Sequence, residues 1–316
     1  MITKQKYRID NWKEYNKSLI QRGSITVWFS DDAIDKWLAS KKPRKKGRPF
    51  TYSDDAILTA LLLRAVFHLP LRALQGFMMS LVMLMNIAIP IPYYTQICKR
   101  AKILGQELAL LSKKNARDIV IDSTGLKVYG EGEWKVRKHG YSKRRTWRKL
   151  HLAVCPDSHD ILLEVLTDNS IGDCEVYPDF LAKAPTSIQH AYGDGAYDTE
   201  GCYEASYLHG LSLIAPPQRN AVFHHDAPQY MEARNNAVLE ILGLGGDDDA
   251  RKLWKKLKDY HRRSLSETAM FRFKRLFGDH LASHRLENQK SEVWAKCLAM
   301  NRMNALGMPD GEWINI

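Results

Sequence analysis

The chain has 316 residues, 45% of them hydrophobic, which is enough for a substantial core and for two domains or one elaborated domain. Its formal net charge of +11 favours a polyanionic partner. The five cysteines are widely spaced and form no C-x-x-C pair, which argues against a disulfide framework or a cysteine zinc site. The first residues contain no apolar signal core, so we expect a cytoplasmic protein.

The first fifty residues predict short helices followed by a basic linker. Ser30 precedes Asp31 and Asp32, a combination typical of a helix N-cap and first turn. Residues 41–49 are basic and are interrupted by proline and glycine. This run is either a solvated linker or an arm that enters a DNA groove. Its candidate DNA contacts are Lys45, Lys46 and Arg48.

Three helices are predicted between residues 50 and 104. They begin near Ser53, Pro70 and Pro92, because serine caps helices and proline is tolerated in a first turn. The third is a candidate recognition helix of a helix-turn-helix; the alternative is an ordinary helical bundle. Its predicted DNA contacts are Lys99 and Arg100.

The longest apolar run, residues 78–89, lies between the second and third predicted helices. It is too short and too closely bounded by proline to span a membrane. We therefore expect a buried helix end and no membrane partner. Residues 1–115 are assigned to a mainly helical region.

A strand is predicted at Asp118–Val128, with Asp122 near its centre. The segment that follows, residues 134–150, contains eight Lys and Arg, no acid, and interleaved aromatic residues. This composition favours nucleic-acid binding, and a solvated β-hairpin is the alternative. Its candidate DNA contacts are Lys143, Arg144, Arg145, Arg148 and Lys149.

Further strands are predicted downstream. Residues 151–155 and 161–167 predict a strand pair, and residues 187–194 deliver Asp194 at a strand end that breaks on glycines. A short strand near residue 211 ends at prolines. Residues 217–250 predict a loop and helices, with the His224–Asp226 cluster on a surface loop and an acidic turn at residues 243–249. An amphipathic helix is predicted at residues 291–304.

The stretch from Tyr260 to Lys274 favours a helix and contains neither proline nor glycine. At about 3.6 residues per turn, Tyr260, Arg263, Glu267 and Lys274 fall on one stripe, and an apolar face lies opposite. The stripe is either a solvated charged face or a functional surface that holds one carboxylate among two cations and a phenol.

Two aspartates on strands and one glutamate on a later helix suit a two-metal site. A carboxylate inside an apolar strand is costly to bury unless it is paired or binds a metal. Mg²⁺ prefers carboxylate oxygens, and two such ions activate the attacking oxygen and stabilise the leaving one in displacement at phosphorus. No nucleotide-binding glycine motif is visible.

Asp122 in IDSTG, Asp194 in GDGAYD and Glu267 in the Tyr-x2-Arg-x3-Glu-x6-Lys spacing resemble the catalytic triad of DDE transposases. The resemblance is to bacterial insertion sequences of the insertion sequence four and five types, and it covers about residues 8–305. It implies an α/β fold with an RNase H-like core, a mixed five-stranded sheet with flanking helices, at residues 116–316. It also implies a mainly helical DNA-binding region before that core.

The resemblance implies roles for individual residues. Asp122, Asp194 and Glu267 would hold two Mg²⁺ ions, for which Mn²⁺ can substitute. Tyr260, Arg263 and Lys274 would hold phosphates or terminal bases. The loop before Asp173 resembles one near the family's metal site, so Asp173 is either a fourth acid or a turn residue. The large β-rich insertion of some relatives is replaced by a mainly helical one at about residues 217–252.

These observations predict a transposase that binds insertion-sequence ends, cleaves them and joins the 3′-OH to target DNA. Its expected partner is double-stranded DNA, both the inverted-repeat ends and the target. The family implies that the protein acts on this DNA as a homodimer. We expect it to be associated with the nucleoid. Two alternatives stay open: an RNase H-like nuclease without strand transfer, and an inactive DNA-binding repressor.

Overall fold

The computed structural model describes residues 5–39, 49–107, 116–128 and 147–315. The chain separates into two units, one of residues 1–107 with 298–316 and the other of residues 108–297. The segment after residue 297 thus belongs to the same unit as the start of the chain. The predicted boundary at residue 115 had assigned residues 298–316 to the second domain instead.

The first unit joins the two ends of the chain in a small sheet. Strand β1 (Gln5–Ile9) pairs antiparallel with β8 (Gly311–Asn315), and Arg8 forms an ion pair with its register partner Glu312 at 2.6 Å. Before residue 108, the described part of this unit contains six helices: α1 (Trp12–Gln21), α2 (Ile25–Trp28), α3 (Asp31–Asp35), α4 (Asp54–Val66), α5 (Leu71–Leu84) and α6 (Tyr94–Glu107).

Capping explains where two of these helices begin. The Ser30 hydroxyl accepts a hydrogen bond from the Ala33 amide at the start of α3, and the Ser53 hydroxyl accepts one from Ala56 at the start of α4. Both caps satisfy backbone donors that have no partner inside the helix. The predicted starts of these helices are therefore confirmed.

The prediction of a buried apolar helix end was wrong for the last turn of α5. Leu74, Met78, Leu81 and Val82 on this helix are buried, whereas Met83 is 79% and Leu84 is 84% exposed. One helix can turn only one face toward a core, so a continuous apolar run leaves its other face in solvent. No single described helix is long and apolar enough to cross a membrane; α4 and α5, bent by 111°, pass that test of length and composition only as a pair.

The second unit contains a mixed sheet whose strands follow the order β4-β3-β2-β5-β6. Neighbours β4, β3 and β2 are antiparallel, and β2, β5 and β6 are parallel. The resemblance implied five strands, and a two-residue strand, β7, adds a sixth beside β2. The strands are β2 (Asp118–Val128), β3 (Trp147–Val154), β4 (Ile161–Asp168), β5 (His190–Tyr192), β6 (Ser212–Ile214) and β7 (His280–Leu281).

Helices lie on both faces of this sheet, because successive side chains of the central strand β2 point to opposite faces and both faces carry residues that need a packing partner. Ile119 and Ile121 pack in a cluster that includes Phe180 and Cys202. Asp122 points the other way, toward Ser266 in the first turn of a later helix and toward Arg263, which directly precedes that helix. The helices of the unit are α7 (Asp173–Leu181), α8 (Glu200–Leu208), α9 (Glu232–Gly243), α10 (Asp248–Leu257), α11 (Ser264–Phe277) and α12 (Leu286–Leu306), of which the residues from 298 onward belong to the first unit.

Three local predictions need correction. The predicted helix from Tyr260 is divided, because Tyr260–Arg263 forms a 3₁₀ turn before α11. The acidic turn near residue 247 is a helix start, since Asp247 accepts a hydrogen bond from the Ala250 amide at 2.7 Å. The segment after Ser291 is buried at consecutive positions, including residues 293–295 and 297, so it is not amphipathic. Its Lys296 is neutralised by Glu292 at 2.9 Å.

Candidate active site

Asp122 lies on the central strand with its side chain 19% exposed. One oxygen accepts the Ser123 amide at 2.8 Å, and the other accepts Arg263 at 3.0 Å and the Ser266 hydroxyl at 3.3 Å. Burial raises the pKa of Asp122, and the neighbouring charge of Asp194 also raises it, while these hydrogen bonds and Arg263 act against them. The carboxylate is thus held by several donors in a poorly solvated place.

Asp194 follows the parallel strand beside Asp122. The register pairs Val120 with Tyr192, so two further residues along both strands bring Asp194 to the level of Asp122. The Asp194 carboxylate accepts the Ala196 amide at 2.9 Å and caps a 3₁₀ turn at Gly195–Tyr197. A Cβ atom on Gly193 would lie 2.7 Å from the Tyr197 ring, so only glycine fits before this aspartate.

Glu267 lies in the first turn of α11, and its side chain is 59% exposed. The Arg263 guanidinium contacts both Glu267 and Asp122, and it therefore bridges two of the three predicted catalytic carboxylates. Burial by itself would lower the pKa of Arg263, but Tyr260 and all three carboxylates raise it. A single guanidinium therefore carries the compensating charge of this cluster.

Tyr260 anchors the turn that begins this segment. Its buried hydroxyl donates to the Gly193 carbonyl at 3.1 Å, directly before Asp194. Burial raises the pKa of Tyr260 to about 12, and the same three carboxylates add to this effect. Tyr260 and Arg263 thus lie in the electrostatic field of all three carboxylates, Asp122, Asp194 and Glu267.

Lys274 is half-buried on α11, two turns after Glu267. Within the residues that the structure describes, its ammonium forms no ion pair. Of the predicted stripe, the structure brings Tyr260, Arg263 and Glu267 to the aspartates, and it shows no hydrogen bond or ion pair between Lys274 and either aspartate.

The donor set fits a hard divalent cation, since all three groups are carboxylates. Among the described residues, however, no group of three or more His, Cys, Asp or Glu converges closely enough to hold a metal ion. The Arg263 guanidinium lies between Asp122 and Glu267 instead. The chemistry of the residues fits the metal, and a cation of the protein balances their charge in this arrangement.

Tyr197 is a site residue that the sequence did not single out. Its hydroxyl is buried and has no hydrogen-bond partner among the described residues. Burial raises its pKa, and so do Asp173, Asp122 and Asp194. The only sequence signal was its position three residues after Asp194, inside GDGAYD. Ser266, which donates to Asp122, was also missed, because its contact joins residues 144 positions apart.

Asp173, the possible fourth acid, begins α7 on the opposite face of β2. Its carboxylate lies 3.2 Å from the Lys149 ammonium and 3.3 Å from His151 Nδ1. The contact with His151, together with contacts to Ser123 and Lys149, lowers the pKa of Asp173 to about 2, against the effect of burial. These cationic and polar contacts favour a structural ion pair.

Six of the ten other predicted DNA contacts lie outside the described residues: Lys45, Lys46, Arg48, Lys143, Arg144 and Arg145. Three of the remainder have internal partners. Arg148 contacts Asp168 and donates to Gln289 at 3.0 Å, and Lys149 is held by Asp173 and by the Ile171 carbonyl.

The predicted recognition helix, α6, presents its two basic candidates differently. Arg100 is buried, contacts Asp54, donates to the Tyr52 carbonyl and lies over the Phe50 ring. Because the Arg100 guanidinium is buried and already paired, little of it is accessible to a DNA phosphate, whereas Lys99 is exposed. Contact of Lys99 with DNA stays a prediction.

Two family models, each described as a transposase DDE domain, match residues 20–131 and 113–302. The second match covers more than half of the chain and contains Asp122, Asp194 and Glu267. The mixed α/β sheet and the carboxylates gathered near its central strand agree with that class. The chain belongs to the DDE transposase family, of the insertion-sequence type.

Proposed function

We propose that this protein binds the ends of an insertion sequence, cleaves them by metal-dependent phosphodiester hydrolysis, and joins the freed 3′-OH to target DNA. The observation that carries the proposal is the clustering of Asp122, Asp194 and Glu267 around Arg263 and Tyr260. It occurs in a chain whose family model spans all five residues.

We also propose that the second unit is an RNase H-like core and that the helices of the first unit bind DNA. Three antiparallel strands followed by two parallel ones, with one acid on the central strand and the next after β5, support the first assignment. The exposed Lys99 on α6 supports the second.

Asp122, Asp194 and Glu267 would hold two Mg²⁺ ions, and Mn²⁺ would substitute for them. Such ions, when bound, activate the attacking oxygen and stabilise the leaving oxygen. Arg263 holds two of the carboxylates, and its guanidinium suits bidentate contact with an arriving phosphate. Tyr260 fixes the backbone before Asp194. The Lys274 ammonium, which has no ion-pair partner in the part of the chain that the structure describes, would contact a further phosphate.

The test is Mg²⁺-dependent cleavage of a labelled duplex that carries the element's end. Glu267→Gln keeps the size of the side chain and removes the charge that a metal needs, so this variant should bind DNA and fail to cut. The matched control is Glu287→Gln, which changes an exposed first-turn glutamate on α12 and should cut like wild type. Equal cleavage by wild type and Glu267→Gln would remove Glu267 from the site.

Two further outcomes separate the alternative functions. A pre-cut end supplied with target DNA should be joined by wild type; hydrolysis without joining would instead indicate a nuclease. Binding without cleavage by every form would indicate a repressor.

A further inference from the structure

A basic cleft lies next to the candidate active site. It has a volume of about 460 Å³ and is bounded by α10, by the loop after β6 and by Gly195, the residue that directly follows Asp194. Its charged lining residues are Arg219, Asp248, Arg251, Lys252 and Lys255.

The positive charge of the cleft exceeds its negative charge. Four cations line it against one acid. Two of the cations are in exposed ion pairs, Arg219 with Asp248 at 3.2 Å and Lys252 with Asp249 at 2.8 Å. Such exposed pairs are weak and exchange readily for another anion.

The other two cations have no carboxylate partner among the described residues. Arg251 donates to the carbonyls of Pro217 and Gln218 at 2.7 and 2.8 Å, which holds its guanidinium at the cleft wall. The Lys255 ammonium lies 5.4 Å from the centroid of the Tyr260 ring. An anion in the cleft would therefore meet charges that are not already neutralised by an acid.

The cleft is also coupled to the carboxylates through Tyr260. Lys255 covers the Tyr260 ring, and the Tyr260 hydroxyl holds the Gly193 carbonyl before Asp194. Pro216, Pro217 and Trp254 add apolar wall. Basic side chains beside apolar wall suit the phosphates and sugars of a nucleic-acid strand.

We propose that this cleft binds the phosphate backbone of the DNA strand beside the scissile bond. This inference rests on the proposed function, because it takes the substrate at Asp194 to be DNA. The size of the cleft matches a nucleotide-sized group, since protein pockets for small ligands span about 300–1,000 Å³. Arg251 and Lys255 supply the permanent charge, and Arg219 and Lys252 exchange their acids for phosphate.

The test measures how the affinity of the full-length protein for an end-bearing duplex depends on salt. Each neutralised phosphate contributes about 0.9 to the slope of log affinity against log salt. The double variant Lys252→Gln and Lys255→Gln should make that negative slope shallower by about 1–2. The matched control Lys256→Gln changes an exposed lysine of the same helix that does not line the cleft, and it should leave the slope unchanged.

A second variant, Arg219→Gln, removes a cation from the loop without altering α10, and it should make the negative slope shallower by about 1. A slope equal to that of wild type in both cleft variants would overturn the proposal. Competition by inorganic phosphate together with an unchanged duplex slope would also overturn it, because the cleft would then be a free-anion site. Failure of the proposed function is distinguishable: wild type would bind the duplex without cutting it, whatever the slopes.

Discussion

Arg263 donates a hydrogen bond to the Asp122 carboxylate at 3.0 Å from 141 residues further along the chain. Its second terminal nitrogen contacts Glu267. Two of the carboxylates that we propose as metal ligands are therefore neutralised by a cation of the protein itself. Because one guanidinium cannot serve these carboxylates and a DNA phosphate equally well, DNA binding and metal binding should be coupled.

We expect Arg263→Gln to bind Mn²⁺ more tightly than wild type without DNA. Removing a cation next to the ligands removes repulsion of the metal, and a gain of about tenfold corresponds to about 1.4 kcal/mol. Titration followed by electron paramagnetic resonance measures the free Mn²⁺ directly and does not depend on activity. Added duplex should strengthen Mn²⁺ binding by wild type more than by the variant.

Arg275→Gln is the control for this prediction, because Arg275 is exposed on the same helix and contacts none of the three carboxylates. Its Mn²⁺ affinity should equal that of wild type. Equal or weaker DNA-free binding by Arg263→Gln would show that Arg263 does not compete with the metal.

Local features of this molecule could be predicted because their causes are local. The strand around Asp122 follows from its apolar β-branched residues, and the start of α4 follows from the Ser53 cap. The 3₁₀ turn at Tyr260–Arg263 could not be predicted. It follows Asp259, which has a positive φ of 51°, and it is fixed by a hydrogen bond from Tyr260 to a carbonyl 67 residues away.

The site shows the same division between local and distant causes. The spacing placed Arg263 and Glu267 on one face, because positions four apart meet on a helix. That Arg263 reaches Asp122, or that Asp173 meets His151 on the other face of β2, depends on how strands pair, which one sequence does not specify.

Asp173→Asn should lower the free energy of unfolding by about 1–3 kcal/mol at pH 7, because it removes a charged acceptor of Lys149 and His151. The folded pKa of about 2 lies below the ordinary value of 3.8, so this stability is present above pH 4 and is lost as the pH falls toward 2. Urea unfolding at pH 7 and pH 3 measures the difference.

Asp179→Asn is the matched control, since Asp179 is exposed on the same helix and should not affect stability. A metal titration with DNA then tests the alternative role of Asp173. An unchanged number of bound ions in Asp173→Asn would support the structural ion pair, and the loss of an ion would make Asp173 a fourth ligand.

Glu164→Gln should stabilise the protein at pH 8 and leave its stability unchanged at pH 4. Burial raises the pKa of Glu164 from 4.5 to about 7, although Lys183 and Lys290 oppose the change. The folded state thus holds a proton that the unfolded state has lost, and wild-type stability falls as the pH rises from about 4.5 to 7. The gain at pH 8 should be about 1–3 kcal/mol.

Thermal unfolding from pH 4 to pH 8 measures this effect. The exposed Glu204 on α8 provides the control. Glu204→Gln should leave the melting temperature nearly unchanged at every pH from 4 to 8. A stabilisation by Glu164→Gln that did not grow with pH would show that the Glu164 carboxyl ionises normally in the folded protein.

Tyr197→Phe should lower DNA cleavage about tenfold without lowering stability. Its buried hydroxyl has no partner among the described residues, so removing it breaks no hydrogen bond there and relieves an unsatisfied group. The charges of Asp173, Asp122 and Asp194 all act on this hydroxyl, and we expect it to donate to the aspartate cluster once DNA and metal are bound. The loss of one such bond, about 1.4 kcal/mol, corresponds to tenfold in rate.

Tyr177→Phe gives the opposite expectation and serves as the control. The Tyr177 and Tyr197 rings pack edge to face with centroids 5.7 Å apart, but the Tyr177 hydroxyl pairs with Ser206 at 2.8 Å in the core. Its loss should cost about 1 kcal/mol of stability and leave single-turnover cleavage by the folded protein unchanged. If Tyr197→Phe instead retained full cleavage at saturating DNA, its hydroxyl would only fill space between α7 and the turn after Asp194.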